Sequence, residues 1–265
     1  MKNMLSEMNE EVKSPSVREG ADFLSGYADW LFSSGATCIR LEKNVKRIAA
    51  SINLEMEMCI LPRHIQITVM RGNEIYTSVV AINERPVNYD VNTRLSRLSW
   101  DMADGRTGFD EAQIAFAGII KAKPTTGCYS TLLGSLANAA FCRLFGGDAV
   151  AMAIVFVATF AGLSVKRILS AHGCDARITV MVCAFVSSVL AAADGLFSLG
   201  TTPQLAIGTS VLYLVPGIPF INAFCDMIDR HYICAFGRLM NAVVLMCCLS
   251  AGLCAGMLAM NIGMF

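Results

Sequence analysis

The sequence predicts an α-helical integral membrane protein, with about five transmembrane helices and a small α+β domain at its N-terminal end. The chain is 55% hydrophobic and only 16% charged, whereas a soluble domain carries about 25% charged residues. Most of the charge lies before Pro124, and residues 125–265 are mostly Ala, Leu, Val, Gly, Met and Cys. We therefore divide the chain into a flexible N-terminus (1–20), a soluble domain (21–124) and a membrane domain (125–265).

The soluble domain is predicted to contain two helices, a β-hairpin and two further helices. Apolar residues at helical spacing indicate the first three helices, at Phe23, Tyr27, Trp30 and Leu31, at Leu41, Val45, Ile48 and Ile52, and at Val91, Leu95, Leu98 and Met102. Between positions 65 and 79 the period changes to two on either side of Gly72-Asn73, which is typical of a hairpin. A last amphipathic helix is expected over residues 110–121.

This domain is expected to lie in the cytoplasm and to hold no metal or cofactor. The first 20 residues are polar and lack the apolar centre of a signal peptide. Most of the 11 cysteines lie inside apolar runs, and no Cys-x-x-Cys pair with a histidine partner occurs, so we interpret them as small residues packed between helices. The sequence shows no phosphate-binding loop or nucleophile motif, and we expect neither an enzyme nor a nucleic-acid partner.

Residues 33–54 are the most distinctive part of the soluble domain. Gly35 is placed to end the first helix in a left-handed cap. Two interpretations of Arg40 and Glu42 stay open. They are either an anion contact with its acidic partner, or solvated charges with local ion pairs worth under about 1 kcal/mol.

Five apolar stretches of the membrane domain approach the ~20 residues that cross a bilayer. They are predicted at about 125–143, 148–165, 178–197, 205–225 and 239–262. The opposing loops differ in positive charge: one set carries only Arg143, and the other is flanked by Lys121, Lys123, Lys166, Arg167, Arg177, Arg230 and Arg238. We expect these spans to lie in the cell (inner) membrane. By the positive-inside rule, the N-terminal domain then lies on the cytoplasmic side and the C-terminus on the outside.

Polar and small residues inside these stretches are further candidates. Asn138 and Asn241 lie in apolar surroundings, and a polar residue within a membrane is a functional candidate by default. Gly252 and Gly256 form a small-xxx-small surface. Such a surface lets helices approach closely, either within the same bundle or against a second subunit.

The stretch "LYLVPGIPFINAFCD", residues 212–226, predicts a broken helix. It holds Pro216 and Pro219, and a proline inside a helix removes an amide donor and costs roughly 3 kcal/mol. Backbone groups freed by a break are tolerated in a bilayer only against protein or a water-lined cavity. The N-terminal end of a half-helix carries partial positive charge, which suits a carboxylate.

Two segments resemble the threonine/serine exporter (ThrE-like) family, and the resemblance extends from about Phe23 to the end of the chain. They are "SGATCIRLEKNVKRIA" (34–49) and "VPGIPFINAFCDMI" (215–228). The length and layout resemble the split form of the family. In that form a larger subunit works with a separate small YjjB-like membrane subunit. The resemblance implies an exporter of small carboxylate-bearing metabolites, either a succinate-type dicarboxylate or threonine and serine, that forms a higher oligomer in the lipid bilayer.

With this resemblance the broken helix becomes a candidate substrate site. We expect an organic acid or amino acid to bind by its carboxylate at Pro216, Gly217, Pro219 and Phe220, with Asn222 orienting it and Asp226 close by. Asp194 or Asp226 would carry a coupling proton. The alternative is a proline kink that only shapes the helix bundle.

Two other classes of function stay open. In one, the chain is a membrane-anchored sensor or assembly protein whose cytoplasmic domain binds a ligand or partner, although an anchor needs only one span. In the other, it is a membrane enzyme, which the absence of a His/Cys/Asp cluster disfavours.

Overall fold

The structure is a computed structural model that describes residues 15–83, 85–122, 127–197 and 200–261. The helices within these ranges are α1 (Val17–Ser33), α2 (Cys38–Ser51), α3 (Tyr89–Ala103), α4 (Phe109–Lys121), α5 (Cys128–Leu144), α6 (Ala149–Ala171), α7 (Ala176–Phe197), α8 (Pro203–Ser210), α9 (Gly217–Ile228) and α10 (Tyr232–Ala259). A short 3-10 helix (Leu212–Leu214) separates α8 from α9. The strands are β1 (Glu55–Ile60), β2 (His64–Arg71) and β3 (Glu74–Ala81).

The chain divides into two compact units. The first unit comprises residues up to Pro124 together with Ile218–Leu239. The second unit comprises Thr125–Gly217 together with Met240–Phe265. Of the predicted flexible N-terminus, positions 1–14 lie outside the described residues, and residues 17–20 form the first turn of α1.

A three-stranded antiparallel sheet in the order β1-β2-β3 forms one layer of the first unit. The predicted hairpin is confirmed, since β2 and β3 pair from His64 opposite Ala81 to Arg71 opposite Glu74. Gly72 in the intervening turn has a φ of 58°, which glycine adopts without steric cost. Strand β1 was not predicted, although its sequence EMEMCI places half-buried and exposed residues alternately.

Helix α1 packs against the sheet, and α2 and α3 pack against each other. The predicted helix faces are confirmed, because Leu41, Val45 and Ile48 of α2 are fully buried and Leu95 of α3 is buried with them. At the centre, the hydroxyl of Tyr27 donates a 2.8 Å hydrogen bond to the carbonyl of Leu95. Burying each large apolar side chain contributes about 1.5–3 kcal/mol.

A buried carboxylate fastens the end of β3 to α1. Asp29 accepts hydrogen bonds from the backbone amide of Asn83 (2.9 Å), the side-chain amide of Asn83 (3.0 Å) and the guanidinium of Arg85 (2.9 Å). Burial alone would raise the pKa of Asp29, but these bonds and the charge of Arg85 outweigh it and hold the pKa below its usual range.

Helices α6 and α7 of the second unit, and α10, whose residues are divided between the two units, are each long and apolar enough to cross a membrane, by length and composition. The stretch Pro203–Leu214 and the stretch Gly217–Ile228 pass the same test together as a bent pair, which gives up to four spans in the described part of the chain. Helix α5 lies at the predicted first span and has 17 residues, or about 26 Å of helix against a hydrocarbon core of about 30 Å. The count of five spans stays a prediction.

The predicted helix break is confirmed. The 3-10 helix ends at Leu214, Val215 is extended, and α9 begins at Gly217. Pro219 lies in the first turn of α9, where a missing amide hydrogen breaks no helical hydrogen bond. A Cβ on Gly217 would meet no atom within 4 Å.

The small-residue surface of α10 packs against α7 within the second unit. A Cβ on Gly252 would overlap the carbonyl of Met181, and a Cβ on Gly256 would overlap the hydroxyl of Ser188. Only glycine allows this close helix approach, so the structure gives the surface an intramolecular partner.

Candidate functional site

The first candidate site is built around the turn that ends α1. Gly35 has a φ of 100°, and its amide donates to the carbonyl of Phe32 while that of Ala36 donates to the carbonyl of Leu31. These two bonds define a Schellman cap, so the left-handed cap predicted at Gly35 is confirmed. The cap leaves the carbonyls of Gly35 and Ala36 pointing away from α1.

Two side chains of α9 bind this turn. Asn222 donates a 3.0 Å hydrogen bond to the carbonyl of Gly35. Asp226, one helical turn further, accepts a 2.8 Å hydrogen bond from the amide of Cys38. Cys38 is the first residue of α2, and its amide has no acceptor within its own helix, so a carboxylate there satisfies an orphan donor and complements the helix dipole.

Arg238 of α10 completes the cluster. It donates a 2.7 Å hydrogen bond to the carbonyl of Ala36, and its Nε lies 3.2 Å from Oδ2 of Asp226. Its guanidinium carbon lies 4.4 Å from the centre of the Phe32 ring, within cation–π range. The Asp226 side chain is 0% exposed and that of Arg238 17% exposed. We call Asn222, Asp226, Arg238 and the backbone of residues 35–38 the motif junction.

A pair of buried thiols lies beside the motif junction. Cys234 donates to the carbonyl of Ile60 at 3.3 Å. The pKa of the Cys38 thiol is raised, first by its hydrogen bond with Cys234, then by burial and by the nearby carboxylate of Asp226. A thiol with a raised pKa stays protonated and is a poor nucleophile, so Cys38 has the character of a structural residue.

Arg40 and Glu42 have different partners in the structure. Arg40 donates a 2.9 Å hydrogen bond to the side-chain oxygen of Asn92 on α3. Glu42 pairs with Lys46 one turn along α2, and His231 lies 3.9 Å away. The interpretation of Arg40 and Glu42 as an anion site stays a prediction.

The second candidate site is a polar interior in the second unit. Asn138 of α5 is buried and donates to the hydroxyl of Thr159 on α6 (2.7 Å) and to the carbonyl of Thr209 on α8 (3.0 Å). Nearby, the hydroxyls of Ser187 and Tyr213 lie 3.0 Å apart. Since no water competes for such groups in a bilayer, these bonds hold α5 against α6 and α8, and α7 against the 3-10 helix.

An acidic pair lies at the other end of this interior. Asp194 near the end of α7 is fully buried, and neither of its carboxylate oxygens has a hydrogen-bond partner among the described residues. Asp148 caps the start of α6 by accepting from the amide of Ala151 at 2.7 Å. Both carboxylates face Gly200.

A basic groove of about 740 Å³ opens between α5 and α6. Its polar lining includes Lys166, Arg167, Ser130 and Ser164. Arg167 lies 3.4 Å from the hydroxyl of Thr131. Two cations beside several hydroxyl groups favour an anionic ligand.

In the parts of the chain that the structure describes, no group of three or more His, Cys, Asp or Glu side chains lies together. The site residues expected from the sequence divide between the two units. Pro219, Phe220, Asn222 and Asp226 belong to the first unit, whereas Pro216, Gly217 and Asp194 belong to the second. Their roles in substrate binding and proton coupling stay predictions.

Sequence reasoning missed Arg238 and Asp148. Arg238 was counted only among the positive flanking residues, and no local sequence signal pairs it with Ala36 or Asp226. An aspartate directly before an apolar helical stretch, as at Asp148, indicates an N-cap, but nothing in the sequence links it to Asp194.

Apolar helices long enough to cross a membrane, with buried polar pairs between them, indicate a multi-pass membrane protein. Residues 22–260 match the family described as "Putative threonine/serine exporter", and the chain belongs to this family. Its relatives include the "Probable succinate transporter subunit YjjP" of Klebsiella aerogenes, 25% identical over 207 residues that cover 76% of this chain and 79% of the relative. The protein of the same name from Escherichia coli (strain K12) is 24% identical over the same shares. No solved structure matches the chain.

Proposed function

We propose that the chain is one subunit of an inner-membrane exporter for small carboxylate-bearing metabolites and works with a separate small membrane subunit. The observation that carries the proposal is the family match over residues 22–260, which includes most of both units. Two relatives bear the name of a succinate transporter subunit. The word "subunit" in those names supports a partner protein, for which a small YjjB-like membrane protein is our candidate.

The substrate class follows from charge. Lys166 and Arg167 line the basic groove with Ser130, Ser164 and Thr131 close by. A dicarboxylate such as succinate, or the carboxylate of threonine or serine, complements such a surface by charge-assisted hydrogen bonds. The start of α9 at Gly217–Phe220 remains our second candidate for the carboxylate.

The proposed orientation places the first unit in the cytoplasm and the C-terminus outside. It is supported by the concentration of lysine and arginine at one set of loops. We propose to label variants that keep one cysteine with a membrane-impermeant maleimide. Cys59 and Cys174 are both exposed and should react only in inside-out vesicles, whereas Gln204→Cys should react in intact cells. The reverse pattern would invert the orientation.

Transport itself is tested in proteoliposomes. Labelled succinate, threonine and serine are supplied in counterflow assays with this chain alone, the small subunit alone, and both together. We expect counterflow of at least one substrate only when both proteins are present. Substrate binding without counterflow under every condition would contradict the exporter and favour the sensor.

The substrate role of the α9 start has its own test. Gly217→Leu is expected to fold, because a Cβ there would meet no atom within 4 Å, and we expect it to lower counterflow at least tenfold if α9 holds the carboxylate. Gly208→Leu is the matched control, since a Cβ on Gly208 would likewise meet no atom within 4 Å. Equal rates in both variants would assign the break a structural role alone.

A further inference from the structure

Two carboxylates of the second unit converge on one glycine. Oδ1 of Asp194 and Oδ2 of Asp148 each lie 2.9 Å from the point that a Cβ on Gly200 would occupy. The two oxygens are therefore within about 6 Å of each other, a distance at which like charges in a protein repel strongly.

Asp148 is the well-stabilised member of this pair. Its Oδ1 accepts from the amide of Ala151, and its Oδ2 accepts from the amide of Thr201 at 2.6 Å and the hydroxyl of Thr201 at 2.9 Å. It also caps the N-terminal end of α6, where the helix dipole favours a negative charge. Asp148 therefore keeps its charge without a further partner.

Asp194 has none of these compensations. It is fully buried, and both of its oxygens lack hydrogen-bond partners within the described ranges. It lies in the last turn of α7, where the exposed carbonyl ends of the helix favour positive charge and oppose a carboxylate. An isolated carboxylate in such a place costs several kcal/mol, so a compensating positive charge is required.

Within the part of the chain that the structure describes, the side chains around the pair do not supply that charge. Arg143 is the nearest basic residue along the chain, and its guanidinium is bound to the carbonyl of Gly147 at 3.2 Å. Helix α8 and the part of α10 in this unit carry no charged residue. Lys166, Arg167 and Arg177 lie toward the opposite ends of α6 and α7.

We propose that Asp194 and Asp148 together bind a small monovalent cation, H⁺ or Na⁺, above Gly200. Oxygen atoms are the ligands that hard cations prefer. The hydroxyl of Thr201, which donates a hydrogen bond to Oδ2 of Asp148, places a further oxygen beside the pair. Helix C-terminal ends coordinate such ions in transporters. The binding stands on these contacts alone, whereas its use as the driving ion for export rests on the proposed function.

Binding is measured on the purified full chain in detergent as the melting temperature. One series varies NaCl against choline chloride at constant ionic strength and pH, and a second varies pH without Na⁺. We expect the wild type to gain a few degrees from one of the two cations, because a ligand that binds only the folded state stabilises it. Asp194→Asn should lose that gain.

Asp175→Asn is the matched control for the loss of one charge, because Asp175 precedes the opposite end of α7 and is exposed. It should respond as the wild type does. If Asp194→Asn responds to both cations as the wild type does, the proposal is wrong. A Na⁺ response that Asp194→Asn lacks identifies an alkali cation, and a pH response that is smaller in Asp194→Asn than in the wild type identifies a proton, because the pH dependence due to other groups is common to both proteins.

A second pair of variants tests whether the cation is bound above Gly200. Gly200→Ala would place a methyl group 2.9 Å from both carboxylates and should abolish the cation response in a folded protein. Gly208→Ala adds a methyl group in open space and should leave it unchanged. An unaltered response in Gly200→Ala would overturn the site, and counterflow that fails although the cation binds would count against the exporter and not against the site.

Discussion

Asp226 accepts a 2.8 Å hydrogen bond from the amide of Cys38, although 188 positions separate the two residues in the sequence. The bond joins the two segments that carry the family resemblance, since one contains Gly35 to Cys38 and the other Asn222 to Asp226. The two segments therefore form a single structural feature inside the first unit.

Loss of the Asp226 charge should destabilise the first unit. Asp226→Asn leaves Arg238 largely buried without its counter-ion, and removing one partner of a buried ion pair costs about 3–5 kcal/mol. We expect earlier thermal unfolding and faster limited proteolysis of the full chain in detergent. Asp229→Asn, at an exposed position just after α9, should behave like the wild type, and equal melting of both variants would refute the role of Asp226.

A side chain at Gly35 should disrupt the same junction from the other side. Gly35→Ala must adopt a φ of 100°, and its methyl group would lie 2.7 Å from Cγ1 of Val87. We expect a loss of about 1–3 kcal/mol in the free energy of unfolding. Gly118→Ala on α4, with nothing within 4 Å, should be neutral or slightly stabilising. A neutral Gly35→Ala would mean that the cap relaxes freely.

The Asp29–Arg85 pair should make stability depend on acid pH. The pKa of Asp29 lies lower in the folded protein than the usual value, which is about 3.9 in an unfolded chain. Its contribution is therefore complete above about pH 4 and is lost as pH falls through the folded value. In acid titrations followed by circular dichroism, Asp29→Asn should be less stable at pH 7 and lose less stability on acidification. Parallel curves for both proteins would contradict this.

Asn138 and Asn241 allow a buried and an exposed asparagine of the membrane domain to be compared. Asn138 is buried with two partners, whereas Asn241 is exposed. We expect Asn138→Ala to lower the free energy of unfolding in detergent by about 0.6–2 kcal/mol, with little effect from Asn241→Ala. The reverse order would show that Asn241 meets a partner outside this chain.

Helix faces could be predicted from the sequence because they depend on neighbours within one or two turns. The residues spaced from Leu41 to Ile48 are all buried, as their period requires. Strand β1 was not predicted although Met56 and Met58 alternate with glutamates, because glutamate is depleted in strands and methionine is not among the residues enriched there. The alternation of glutamate and methionine indicates the strand better than the strand propensities of these residues do.

The sites were predicted less well because they depend on contacts between distant parts of the chain. Prolines revealed the break before α9 through a local effect on the backbone. Nothing local indicates that Asn222 and Asp226 face a turn at Gly35 or that Asp148 meets Asp194 at Gly200. Those pairings arise only when the helices pack.

In the motif junction, one side contributes only main-chain atoms and the other side only side-chain atoms. Residues 35–38 contribute two carbonyl oxygens and one amide nitrogen, all from the main chain, whereas α9 and α10 contribute the side chains of Asn222, Asp226 and Arg238. In a saturation mutagenesis screen, tolerance should therefore differ between the two sides. The turn should accept any substitution that preserves its backbone path and fits the space, while the helices should reject even isosteric changes of charge.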